Sequence, residues 1–170
     1  MEPMAYAEPG GIASADEYNK VVDNVNEMSR GTLTRRYRAT SQKIPNVTWT
    51  KVAFDTLVSP SPHVVVNAAG DTFTIVTPGS YAFSASARYD TNSTGFRHLV
   101  LGDASQPGTR YTGDSKEAIA ENVTLEASTE RNFAAGDKIC AWTRQNSGAD
   151  RNLVPAGEVI NFTIRYCGES

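Results

Sequence analysis

The residues of this chain that could carry out nucleophilic catalysis are Ser115, in the block Gly113-Asp114-Ser115, and the two histidines, His63 and His98. A serine hydroxyl becomes a useful nucleophile when a base accepts its proton, and an oriented histidine is the usual base. With a Gly-Asp-Ser block, the base histidine is expected three positions after an aspartate. Neither His63 nor His98 has an aspartate three positions before it. We therefore interpret Gly113-Asp114-Ser115 as a turn and predict that the protein is not an enzyme.

Metal-binding patterns are also missing from the sequence. The two histidines and the two cysteines, Cys140 and Cys167, form no closely spaced ligand pairs of the kind that binds zinc. Several aspartates fall near predicted turns, but none belongs to the alternating Asp-x-Asp-x-Asp-Gly pattern of a calcium loop: Asp71, Asp90, Asp103, Asp114 and Asp150. We predict no metal and no cofactor.

Composition and charge exclude further classes of function. The 170 residues include 16 Lys and Arg against 19 Asp and Glu, and 39% of the residues are hydrophobic, which fits one folded domain of slightly acidic charge. A nucleic-acid binder would need a broad basic face. The one basic cluster is Arg35, Arg36 and Arg38, which we interpret as a solvated hinge or a contact with an acidic partner. The chain shows no signal peptide and no membrane-inserting segment, so we expect synthesis in the cytoplasm.

The N-terminal part of the chain has helical periodicity. Ser14 and Glu17 stand at capping-box spacing, and Gly31 closes the segment. Four apolar residues then recur at steps of three and four: Tyr18, Val21, Val25 and Met28. We predict a helix over about 14–29 within an N-terminal anchor, 1–36, that ends in a hinge. The helix either lies on its own domain or forms a bundle with identical neighbours.

From residue 37 to residue 170 the pattern is that of short β-strands rich in Val, Thr, Ile and aromatic residues, separated by turns. The segment 80–90 alternates clearly, with Tyr81 and Phe83 on one face and Ala82 and Ser84 on the other. The ten predicted strands are 37–44, 47–57, 62–67, 71–77, 80–90, 96–102, 119–128, 137–146, 151–155 and 158–167. This number of short strands predicts an all-β sandwich or barrel.

Five motifs within residues 39–168 resemble, in order, the C1q/TNF-like jelly roll. They are Gln42-Lys43-Ile44-Pro45-Asn46, Trp49-Thr50-Lys51-Val52-Ala53-Phe54-Asp55, the pair Phe73-Thr74 with Pro78-Gly79-Ser80-Tyr81-Ala82-Phe83-Ser84, Phe133-Ala134-Ala135-Gly136-Asp137-Lys138-Ile139, and Ile160-Asn161-Phe162-Thr163-Ile164.

The C1q/TNF-like resemblance implies a ten-strand antiparallel jelly-roll sandwich, with a short N-terminal α-helix before it, that assembles as a homotrimer. It also implies that five aromatic residues are core or subunit-contact positions: Phe73, Tyr81, Phe83, Phe162 and Tyr166. Trp49 and Trp142 could stack on a sugar, but we assign both first to the core of such a fold.

A second, shorter resemblance concerns Gly11–Asn26, which is similar to the opening of small tailed-phage virion proteins. The two resemblances together imply a non-enzymatic homotrimeric virion structural protein, at the tail tip or in a tail fibre. Its N-terminal segment would bind other virion proteins, and its head would attach to a host surface receptor or glycan. The alternatives are a capsid decoration protein, stabilising the head or forming a head fibre, and a soluble C1q/TNF-like binding module outside any virus.

The longest predicted connection, 103–118, is polar and is a candidate site for a partner. Because consecutive antiparallel strands alternate in direction, we expect it to share one end of the domain with the loop after strand 137–146. The candidate partner-binding residues in these two loops are Gln106, Arg110, Tyr111, Gln145, Asn146 and Arg151. The alternative is a flexible loop that binds nothing.

Overall fold

The strands found in this computed structural model follow from the alternation and turn signals of the sequence, although their number and bounds differ. The structure describes Asp16, Tyr18, Asn19 and residues 33–169. In this part of the chain the strands are β1 (Leu33–Tyr37), β2 (Gln42–Ile44), β3 (Thr50–Lys51), β4 (Thr56–Ser59), β5 (Val64–Val66), β6 (Phe73–Ile75), β7 (Gly79–Tyr89), β8 (Phe96–Asp103), β9 (Arg110–Glu117), β10 (Val123–Phe133), β11 (Lys138–Gln145), β12 (Arg151–Leu153) and β13 (Asn161–Gly168).

These strands form two antiparallel sheets. The first sheet has the order β2-β12-β7-β13-β1-β4, with β10 also paired to β7, and the second has the order β5-β6-β11-β8-β9, with β3 also paired to β11. The predicted all-β antiparallel sandwich is thereby confirmed. The alternation of β7 determines its orientation, because Tyr81 and Phe83 are buried between the sheets whereas Ala82 and Ser84 lie on the outer face.

The core lies between the two sheets and is rich in aromatic side chains. The rings of Phe73 and Phe162 stack across the sandwich with centroids 4.0 Å apart, and Phe54 lies 5.6 Å from Phe162. Phe73, Tyr81, Phe83 and Phe162 are all buried within a single subunit. They are core residues and are not available for contacts between subunits. Tyr166 is half-buried near one end, where its ring stacks on His63 at 4.2 Å.

The strand bounds depart from expectation in several places, one of which is the predicted strand 119–128, where β10 spans Val123–Phe133. The predicted strand 37–44 is interrupted, and only the last residue of β1 and the short strand β2 form there. The predicted strand 47–57 is also interrupted: β3 forms in its middle, and β4 begins near its end. The predicted loop 103–118 contains β9, which pairs with β8 over its length. Its sequence, Arg-Tyr-Thr-Gly-Asp-Ser-Lys-Glu, lacks apolar alternation because most of its side chains are exposed.

The boundary of the sandwich lies earlier than the sequence suggested. β1 begins at Leu33, so the last residues of the predicted anchor 1–36 belong to the first sheet. The basic cluster Arg35, Arg36 and Arg38 is not a solvated hinge. Arg36 Nε donates to Phe54 O at 2.8 Å, and Arg38 donates to Ala53 O at 2.7 Å. Arg35 forms an ion pair with Glu158. These three arginines therefore stabilise the start of the sandwich through contacts within the chain.

The predicted helix 14–29 falls almost entirely outside the described residues. Asp16, Tyr18 and Asn19 have helical backbone geometry and exposed side chains. Val21, Val25 and Met28 are outside the described part, so the helical anchor stays a prediction. In the part of the chain that is described, no helix is long and apolar enough to cross a lipid bilayer.

Candidate functional site

The two predicted partner-binding loops lie at opposite ends of the sandwich. Residues 104–109 turn the chain from β8 into β9, next to Asp103, which pairs with Ile139. The connection 146–150 follows Gln145, which pairs with Arg97 at the other end of β8. The prediction that both loops lie at one end is wrong, because the apolar pattern gave no sign of β9. One additional strand reverses the chain once more and moves every later loop to the other end.

Gln145, Asn146 and Arg151 stabilise their own loop. The Gln145 side chain is fully buried; its amide nitrogen donates to Ala149 O at 2.8 Å, and its oxygen accepts from Ser147 N at 2.8 Å. Asn146 Oδ1 accepts from Phe96 N at 2.6 Å, and Arg151 Nε donates to the Ser147 hydroxyl. Hydrogen bonds within this loop and to the start of β8 therefore account for the three residues without a ligand.

Gln106, Arg110 and Tyr111 are divided between the turn before β9 and β9 itself. Gln106 is exposed in the turn, where its side-chain nitrogen donates to Thr109 Oγ1 at 3.0 Å. Tyr111 is half-buried and packs edge-on against Phe83, with ring centroids 6.1 Å apart. Arg110 is exposed and belongs to a cluster on the outer face of the second sheet.

That cluster is built around Trp49, so the prediction that Trp49 is a core residue is wrong. Trp49 is only half-buried, in the segment before β3. The guanidinium carbon of Arg110 lies 4.8 Å from its ring centroid, and that of Arg144 lies 6.0 Å away. The His98 ring centroid is 6.1 Å from that of Trp49. Two arginines and a histidine from three strands thus surround one indole ring.

Trp142 is likewise half-buried on this outer face and is not a core residue. It pairs with Val100 of β8 on one side and with Lys51 of β3 on the other. The Lys51 nitrogen lies 5.3 Å from its ring centroid, and Trp142 Nε1 donates to Asp103 O at 2.9 Å. Trp142 lies outside because the alternation of β11 directs the smaller residues Ile139, Ala141 and Thr143 to the inner face.

The two arginines beside Trp49 are held by main-chain oxygens and leave terminal nitrogens free for a ligand. Arg110 Nε donates to Pro107 O at 3.3 Å, and Arg144 Nε donates to Val47 O at 3.2 Å. Among the described residues, neither arginine forms an ion pair. Arg144 and His98 were missed as site residues because they are far apart in sequence, although the two-residue spacing of Trp142 and Arg144 on one strand indicates a shared face.

A shallow depression of about 360 Å³ lies beside this cluster, between β8 and β9. It is lined by His98, Val100, Arg110, Tyr111, Thr112, Gly113, Asp114 and Ser115. Gly113 has no room for a larger side chain, since a Cβ there would stand 2.8 Å from Leu99 O. The missing side chain keeps this part of the depression open.

The serine and histidine considered for catalysis meet in this depression, since His98 is paired with Ser115 across β8 and β9. The block Gly113-Asp114-Ser115 is therefore part of a strand and not a turn. Within the described residues, no hydrogen bond joins Ser115 to His98. The Asp114 carboxylate accepts from Glu126 N at 3.1 Å and contacts Lys116 at 3.3 Å, so it does not orient the histidine. This geometry lacks the linked nucleophile, base and orienting group of a hydrolase.

Burial lowers the pKa of His98, and the neighbouring Arg144 and Arg110 lower it further. Burial and the two neighbouring positive charges therefore both favour the neutral imidazole, and a bound anion would offset the contribution of the charges. In residues 33–169 no three His, Cys, Asp or Glu side chains gather as a metal site would require.

The outer face of the first sheet is a second surface, with small side chains at its centre. Ser84 of β7 is paired with Thr163 of β13 on one side and Ser128 of β10 on the other, and Ala82 lies next along the strand. Charge differs between the two flanks. The β1 and β13 flank carries Arg165, together with Arg35, which is already paired with Glu158, and the β10 flank carries Glu126 and Glu130.

Comparison with solved structures places this arrangement among known folds. The chain is similar to Eiger TNF from S. frugiperda, with a TM-score of 0.61, 14% identity, and coverage of 82% of this chain and 94% of that one. It is similar to murine APRIL (TM-score 0.61, 14% identity, 80% and 98% coverage) and to the globular domain of zebrafish complement 1qA protein (TM-score 0.56, 14% identity, 82% and 99% coverage). No protein-family model matches the sequence, and no curated protein matches it. The fold is the jelly roll of TNF and C1q globular domains.

Proposed function

We propose that this protein is a non-enzymatic, homotrimeric binding module with a C1q/TNF-like head. The observation that carries the proposal is the outer face of the first sheet, where small side chains are flanked by charges of opposite sign. The fold shared with TNF and complement globular domains supports a recognition role, since no catalytic arrangement accompanies it in the described residues.

The centre of this face permits close approach between copies. The side chains of Ala82, Ser84 and Ser128 project little from the sheet, so the main chain of a neighbour can pack near it. The core aromatics are already covered within one subunit. Association would therefore bury a flat, mixed polar surface and would depend on complementary shape and charge more than on exposed aromatic side chains.

The charges on the two flanks suit the head-to-tail contacts of a cyclic arrangement. Because Arg165 and Glu130 stand on either side of Ala82 in the register, they flank one face at opposite edges. A two-fold interface would pair the basic flank of each copy with the acidic flank of the other in two equivalent contacts, whereas a head-to-tail interface brings the basic flank of one copy to the acidic flank of the next and leaves further flanks available. Three such contacts would close a ring.

The proposal is tested by size-exclusion chromatography with light scattering at micromolar protein. We expect a mass three times the 18.4 kDa of one chain. Ser84→Arg places a long charged side chain on the small-residue face and should give monomers with an unchanged far-UV circular dichroism spectrum. Ser93→Arg, in the exposed bend between β7 and β8, is the control and should stay trimeric. A wild-type monomer would contradict the assembly.

We place this module, as a finer proposal, on the surface of a virion. The support is the similarity of residues 11–26 to small tailed-phage virion proteins, with the N-terminal segment binding other virion proteins and the head facing a host receptor or glycan. The location that we propose first is the tail tip or a tail fibre, and the alternative location is the capsid surface, as a decoration protein. The soluble binding module outside any virus is the form that the fold alone supports.

Quantitative mass spectrometry of purified virions separates these positions. A tail protein should be present in few copies per particle and a decoration protein in hundreds. Absence from particles would leave the soluble binding module.

A further inference from the structure

The outer face of the second sheet combines cationic, apolar and hydroxyl-binding groups around one depression. We propose that the depression between β8 and β9 binds an acidic saccharide, with Arg110 and Arg144 taking its carboxylate. This inference rests on the proposed recognition role and names the ligand of that role. Each feature of the site corresponds to one chemical feature of such a sugar.

The arginines supply the charge complementarity. Arg110 and Arg144 approach Trp49 with their guanidinium carbons 4.8 Å and 6.0 Å from the ring centroid, and their Nε atoms are held by main-chain oxygens. Their terminal nitrogens have no acidic partner among the described residues, in a protein whose net charge is negative. A guanidinium held in this way binds a carboxylate through two parallel hydrogen bonds. Trp49 acts as a positioning residue for both.

Phe96 supplies an apolar surface beside the charges. Its side chain is 46% exposed, and its ring stacks on His98 with centroids 6.4 Å apart. Such an exposed phenylalanine on a strand is costly to leave in water. The C–H face of a pyranose ring covers an aromatic ring of this kind, whereas an inorganic anion would not use it.

One further lining group suits a hydroxyl. Ser115 lines the depression on the same face as its pairing partner His98, and its side chain offers a donor and an acceptor for a sugar hydroxyl. A volume of about 360 Å³ lies at the lower end of small-ligand sites and corresponds to one or two sugar units.

The charged groups that face His98 decide how the site responds to a ligand. Burial is the largest cause of the lowered pKa of this histidine, and Arg144 of β11 and Arg110 of β9 lower it further. On β9, Asp114 and Lys116 contact each other and lie on the opposite face, since they are paired with the buried Leu99 and Arg97, whereas Glu117 is paired with Phe96 one step from His98 on the same face. A carboxylate bound at the two arginines should offset their field and raise the pKa of His98.

The test uses the full chain with sialyllactose, which carries one acidic sugar, and with lactose, which lacks it. Titration followed by NMR should shift the His98 ring and Trp49 indole signals with sialyllactose and not with lactose, and should raise the pKa of His98 in the complex. We expect Arg110→Gln and Arg144→Gln each to weaken binding by about tenfold, the range for one charge-assisted hydrogen bond. Lys138→Gln removes a charge from the same face of β11, about 20 Å along the strand, and should leave binding unchanged.

Phe96→Ala distinguishes a sugar site from a simple anion site. It should weaken sialyllactose binding about tenfold, as expected for loss of a covered aromatic surface, while sulfate binding, measured through the same His98 signal, stays the same. Equal binding of sialyllactose and a glutamate-rich peptide would overturn the saccharide assignment, as would sialyllactose shifts confined to residues outside the depression. The oligomeric state is measured on the same samples, so a monomer that binds sialyllactose would refute the trimer and retain this site.

Discussion

The hydroxyl of Tyr89 lies 2.7 Å from the hydroxyl of Thr143, and this contact joins the two sheets through the core. Thr143 gives its own proton to His98 O, also at 2.7 Å, so Tyr89 must be the donor to Thr143. Burial raises the pKa of Tyr89, which keeps the hydroxyl protonated. The order of donation is therefore fixed from the first sheet to the second.

This order predicts different costs for removing its two members. Tyr89→Phe removes only the first donor and should lower the free energy of unfolding by about 1 kcal/mol. Thr143→Val leaves the buried Tyr89 hydroxyl without an acceptor, whereas His98 O keeps the main-chain pairing of His98 with Arg144, and should cost about 2–3 kcal/mol. Urea unfolding at one fixed protein concentration measures both, with Tyr37→Phe on the outer face as control. If the valine variant were the more stable of the two, the assigned direction would be wrong.

Gly79 is predicted to tolerate no side chain. Its φ of 148° lies in the range that favours glycine, and a Cβ would meet Gly168 O and, at 2.7 Å, the Tyr166 ring. Gly79→Ala should therefore cost about 1–3 kcal/mol. Gly108 has open space around its Cα, so Gly108→Ala is the matched control and should change the melting temperature little. Equal melting temperatures for the two variants would show that the main chain at Gly79 moves easily.

The Asp55 carboxylate is predicted to contribute stability that acid removes. Desolvation alone would raise its pKa, but hydrogen bonds from Thr40, Ala39 and Thr56 together outweigh it and hold the pKa below the ordinary value. A group with a lowered folded pKa stabilises the fold above its unfolded pKa of about 4, and the contribution is lost as the pH falls through the folded pKa.

We therefore expect Asp55→Asn to be less stable than the wild type at pH 7 and the difference to shrink as the pH falls below about 4. Chemical unfolding at a series of pH values measures this. Glu121→Gln, in the exposed segment before β10, controls for the loss of one negative charge. A difference between Asp55→Asn and wild type that stays constant with pH would assign the effect to packing.

The charged flanks predict that assembly can be broken and restored by charge reversal. Glu130→Arg should weaken the trimer about tenfold by placing two basic flanks together, and Arg165→Glu should do the same with two acidic flanks. The double variant should recover most of the lost assembly, and the single-variant defects should diminish at high salt. Light scattering across a dilution series measures each case. Failure of the double variant to recover would place the contact elsewhere.

The main features of the core could be read from the sequence, because a buried strand face repeats every two residues. Tyr81 and Phe83 in β7, and Phe162 in β13, are buried as their alternation predicts. β9 could not be found in this way. Its main chain pairs with β8, but its polar side chains are mostly exposed and leave no apolar period. Missing this strand reversed the expected positions of the later loops.

What the sequence alone determined is the class of fold, since local alternation and turn residues require only neighbours along the chain. The tertiary structure decided which polar residues meet. Trp49, Arg110 and Arg144 come from separate segments, and their approach depends on the registers of β8 with β9 and β11. The same packing decided that the two tryptophans lie outside, because the space between the sheets was already filled by Phe54, Phe73 and Phe162.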